Sequence, residues 1–76
     1  MSANFDITEF SGVETELVHR RLQSEVMVAL QGELSDVKEA GLFYWEKYPN
    51  RLVRMSTEKL VCGDVRMKIT FLDYEP

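Results

Sequence analysis

Apolar and polar residues alternate without a miss over Val65-Arg-Met-Lys-Ile-Thr-Phe71, which predicts a strand with one buried face. Lys59-Leu-Val-Cys62 precedes it, and Gly63-Asp64 lies between the two apolar runs. A Gly-Asp pair in that position predicts a two-residue hairpin loop. Pairing Cys62 with Val65 then sets Leu60 opposite Met67, Thr57 opposite Thr70 and Arg54 opposite Asp73. The same register places Lys59 against Lys68, an unfavourable pair, and so allows a break near Ser56-Thr57-Glu58.

Upstream, the spacing is read as helical. Val13 to Gln31 contains no proline, and Ser11 with Glu14 three residues later forms a capping-box pattern. At helical spacing Val18, Leu22, Val26 and Ala29 form one apolar stripe; Val13, Leu17, Met27 and Val28 form another. Two stripes imply contact on both sides, either within the chain or with a second subunit. Gly32 marks the expected end. A second helix is predicted from Ser35, as N-cap, to Lys47, with Val37, Ala40, Gly41, Tyr44, Trp45 and Tyr48 in one arc. Pro49 stops it. The competing reading is a strand over Leu42 to Tyr48, because Phe43, Tyr44 and Trp45 favour strands. Asn4 to Phe10 reads as a short strand or an ordered arm, closed by Ser11-Gly12. The expected fold is α+β: an N-terminal arm or short strand, one or two helices, then a C-terminal antiparallel hairpin or small sheet.

Composition narrows the picture. The 76 residues are enough for one core, and the chain is read as a single domain over residues 1–76. A domain of that size buries only about 60% of its unfolded surface, so self-association is an attractive source of stability. Cys62 is the lone cysteine, which excludes an internal disulfide. No run approaches the roughly 18 apolar residues of a membrane span, and Met1 to Asp6 lacks a secretory pattern. A cytoplasmic location and no membrane partner are the expectations. Net charge is −4 and unevenly placed: residues 1–46 hold nine acids against three bases, residues 47–76 six bases against four acids.

The chemistry that would mark an enzyme is sparse. His19 is the lone histidine and has no second imidazole or thiolate near it in sequence, so no metal site is expected. Cys62, among Leu60, Val61 and Val65, is expected to be a small buried apolar side chain. The nucleophile-elbow, phosphate-loop and dinucleotide fingerprints are absent. No cofactor is expected. Arg51, Arg54, Arg66 and Lys68 could line a nucleic-acid surface, but the net acidity opposes it.

What remains points to contact surfaces. Val13, Leu17 and Val28, on the second stripe, and Leu42 and Phe43, outside the Tyr44/Trp45 arc, are the apolar contact candidates. Glu14, Glu25 and Glu39 are the acidic ones. The expected function is a non-enzymatic protein-binding or regulatory module that self-associates, with a partner of unknown identity or a second copy. Two alternatives stay open: an acidic inhibitor that presents carboxylates to a nucleic-acid-binding enzyme, and a structural subunit of a larger assembly.

Overall fold

The structure is a computed structural model that describes Phe5 and residues 7–75. The chain runs through β1 (Val13–Arg20), a 3-10 turn (Arg21–Gln23), β2 (Glu25–Gly32), α1 (Leu34–Lys47), β3 (Leu52–Lys59) and β4 (Val65–Leu72). The four strands form one antiparallel sheet in the order β1-β2-β4-β3, with α1 against one face. The fold is α+β. Of the proposed arm, Asn4 and Asp6 lie outside the described residues; Phe10 makes a single bridge to Val13 rather than a strand.

The first predicted helix is replaced by the β1–β2 hairpin. Val13, Thr15, Val18, Val26 and Val28 are β-branched and suit a pleated surface better than a helix. β2 is an interior strand: Val26, Val28 and Leu30 are fully buried on its helix-side face, Val28 and Leu30 in one cluster with α1, and Ala29 is buried on the opposite face. The open-face positions Met27 and Ala29 are apolar as well, so Val26 to Leu30 reads as a continuous apolar run, which periodicity alone does not separate from a helix. The two stripes thus do not exist as surfaces. Val26 and Val28, assigned to opposite stripes, share the core face. The corner carries no glycine or proline; Ser24 supplies the left-handed conformation at φ 55°. Its carbonyl accepts a 2.7 Å hydrogen bond from the Asp73 amide.

α1 forms almost where the spacing predicts it, and the strand reading of Leu42 to Tyr48 is excluded. Ser35 sits within the first turn instead of capping it. Val37, Ala40, Gly41 and Tyr44 face the sheet, and Tyr48 follows them into the core. Trp45, expected in that arc, is instead half exposed.

The C-terminal hairpin is present, in a different register. Lys59 pairs with Val65, Glu58 with Arg66, Thr57 with Met67 and Ser56 with Lys68. The loop spans Leu60 to Asp64, closed by Leu60 N–H to the Asp64 carbonyl at 2.8 Å, and Gly63 takes φ +98° within it. This register removes the Lys59–Lys68 opposition and sets Glu58 across from Arg66. It also differs from the expected one by an odd number of residues, which exchanges the two faces of β3. Met55 and Thr57 are thereby on the helix side, and Arg54, Ser56 and Glu58 on the open side. The irregularity lies between Leu52 and Arg54, not near Thr57.

Gly32 ends β2 rather than a helix. A Cβ there would lie 2.5 Å from the Gly12 carbonyl oxygen, a backbone atom with little freedom to yield. Gly32→Ala is expected to cost about 1–3 kcal/mol by overpacking. Gly63→Ala has open space around it and suffers only the positive φ, about 1 kcal/mol. Urea denaturation of both variants checks the order.

Candidate interaction surface

The sheet-facing side of α1 is narrow. Gly41 brings the helix close to Met67 and Ile69, so α1 sits over β2 and β4. Its two flanks are finished differently. On the β1 side the preceding segment closes the gap. Phe10 packs edge-on against Phe43 at 5.2 Å, and Phe5 stacks on Tyr48 at 4.2 Å. The buried Tyr44 hydroxyl donates to the Thr8 carbonyl and accepts from the Thr8 amide, both at 2.9 Å. Burial raises the Tyr44 pKa above 10.0; the hydrogen bonding at Thr8 opposes that shift and the neighbouring Tyr48 adds to it.

On the β3 side no described residue plays that part. Leu42 and Trp45 of α1, Met55 of β3 and a floor of Gly41 and Met67 enclose an apolar groove of about 450 Å³. Lys38 and Glu39 stand at its rim. Leu42, Trp45 and Met55 are each about half exposed, at 50%, 48% and 50%. That is a contiguous apolar patch, not scattered exposure. It borders β3, an edge strand exposed from Val53 to Lys59.

The open face of the sheet is polar. Glu25 there meets Arg20 at 3.7 Å and Arg54 at 3.4 Å. Glu14, Glu16, Ala29, Gln31 and Arg66 outline a shallower hollow of about 330 Å³. Arg66 and Lys68 stand on this face, whereas Arg51 is buried over the Tyr48 ring, with Glu75 at 3.6 Å. Of the four basic residues singled out in the sequence, Arg54, Arg66 and Lys68 share the open face of β3 and β4, and Arg51 does not.

The contact candidates are scattered. Val28 is fully buried and cannot reach a partner; Val13 and Leu17 are partly buried against the core. Phe43 is engaged by Phe10. Leu42 alone of the apolar five opens onto the groove. Glu14 and Glu25 share the open face but stand at opposite ends of the β1–β2 hairpin, and Glu39 is on α1 on the other side of the sheet, so the three carboxylates form no common patch. Trp45 and Met55 were missed. Trp45 had been assigned to the core arc, and the orientation of Met55 depends on the hairpin register.

Cys62 is exposed in the hairpin loop, against the expectation of burial. His19 is exposed on β1. Among the described residues no group of three or more His, Cys, Asp or Glu side chains is placed to hold a metal ion, and no helix is long and apolar enough to cross a membrane. No protein-family model matches the chain, and no curated protein or solved structure shows significant similarity to it.

Tyr44→Phe is expected to cost about 1–3 kcal/mol, for two hydrogen bonds at a buried site. Its pH dependence is diagnostic. A raised folded pKa gives stability that is present below pH 10.0 and lost as pH rises toward the folded value. The wild type should therefore lose stability in that range more steeply than Tyr44→Phe, by up to about 1.4 kcal/mol per pH unit. Denaturant melts at several alkaline pH values check this.

Proposed function

We infer that this chain is a non-enzymatic protein-binding module that self-associates, and that its contact surface is the flank between α1 and β3. One observation carries the reading: the aromatic segment before β1 seals one side of the helix, while the other side exposes Leu42, Trp45 and Met55 beside the outer edge of β3, which no described strand pairs. Apolar grooves next to free strand edges suit strand addition, in which backbone hydrogen bonds give affinity and side-chain pockets give selectivity. A small domain also gains stability by covering such a patch. This basis differs from the two-striped helix that first suggested self-association.

Trp45 is the lone tryptophan, so its emission reports the groove directly. The wild type is expected to form a reversible oligomer in sedimentation equilibrium, with a blue shift of Trp45 emission as concentration rises. Leu42→Lys should abolish both. Val61→Lys, an equally apolar loss at a fully exposed loop position, should leave both intact. A strictly monomeric wild type with concentration-independent emission up to millimolar protein would remove this reading.

A further inference from the structure

We propose that the occupant of the groove flank is a second copy of this chain, joined antiparallel through β3 with Ser56 opposite Ser56 of its twin. The inference rests on the self-association argued above and adds its geometry. Antiparallel pairing of identical edge strands places a two-fold axis perpendicular to the sheet. The result is one eight-stranded sheet with both α1 helices on the same side. With α1 over β2 and β4, and about 4.8 Å per strand, the helix axes stand roughly 20 Å apart across the seam. The two apolar grooves then face each other, walled by Leu42 and Trp45 and floored by Met55 and Met67 of both copies.

Charge selects the register. Side chains must keep to their own face, so only registers two residues apart compete. With Ser56 opposite Ser56, Arg54 of each copy faces Glu58 of the other on the open side of the sheet, twice by symmetry. Shifting by one such step in either direction sets Arg54 or Glu58 opposite Ser56 and forms no Arg–Glu pair. Shifting by two steps sets Arg54 against Arg54, or Glu58 against Glu58. Glu58 makes no ion pair among the described residues, and Arg54 is exposed and held only at 3.4 Å by Glu25, which also has Arg20. Edge strand β1 lacks the corresponding groove, because Phe10 occupies the position beside Phe43.

The test is a charge-reversal cycle with a covalent readout of register. Arg54→Glu and Glu58→Arg should each weaken dimerisation at least tenfold in sedimentation equilibrium. An equimolar mixture of the two should restore it, since both cross-seam pairs become attractive again, and Glu14→Arg on the other edge should change nothing. Arg54→Glu also loses its contact with Glu25, so a second measurement covers a folding failure. In a Cys62→Ser background, single cysteines are placed at positions 54 to 58 and oxidised. Disulfide-linked dimer should peak at Ser56→Cys, whose pair sits on the axis. Wild-type association with a cross-linking maximum elsewhere, or with no rescue in the mixture, overturns this register while leaving self-association standing. An open-ended series of oligomers also overturns it, because that indicates β1 pairing with β3 of the next copy. A strictly monomeric wild type overturns both proposals.

Discussion

A single helix is too narrow for the sheet beneath it. Four strands at about 4.8 Å each span roughly 19 Å, whereas a helix with its side chains is about 10 Å across. α1 settles over the two central strands, where Val28, Leu30, Ile69 and Phe71 give it the most apolar surface, and where Gly41 permits close approach. Everything else about the two sides follows from that deficit. One flank is filled by aromatic side chains from the segment before β1. The other keeps its apolar residues beside β3. The asymmetry is a property of layer geometry before it is a property of any one residue.

The fold was only partly legible in the sequence. α1 was legible because it is amphipathic, ends before a proline and is long enough to show its period. β4 was legible because its polar partners alternate cleanly. The β1–β2 hairpin was not, because β2 carries apolar Met27 and Ala29 on its open face and so loses its alternation, and because its corner uses Ser24 where a glycine or asparagine would have marked it. The register of β3 was misread because Gly63-Asp64 resembles a two-residue turn but closes a longer loop from Leu60 to Asp64. That error had consequences for the surface. It hid Met55, whose side of the sheet depends on the register, and with it the groove. Leu42 was recognised because helical spacing alone places it off the buried arc.

The sheet keeps part of the charge asymmetry seen along the chain, as an acidic β1–β2 side and a basic β3–β4 side. The acidic first half and basic second half of the chain do not become two charged faces. β1 and β2 make up one side of the sheet and β4 and β3 the other, so the two halves lie side by side on the same open face. Glu25 gathers Arg20 and Arg54 from strands far apart in sequence.

The order β1-β2-β4-β3 also has a consequence for how the molecule assembles. β1–β2 and β3–β4 are local hairpins, each closed by a short connection. The sheet becomes whole only when β2 meets β4, a pairing that spans α1 and β3 in sequence. Loop-closure entropy makes such a contact slow relative to the hairpins. Until it forms, β2 and β4 each offer a strand edge that the finished fold keeps inside. The β2–β4 seam is thus the pairing that carries the largest loop-closure cost in the sheet.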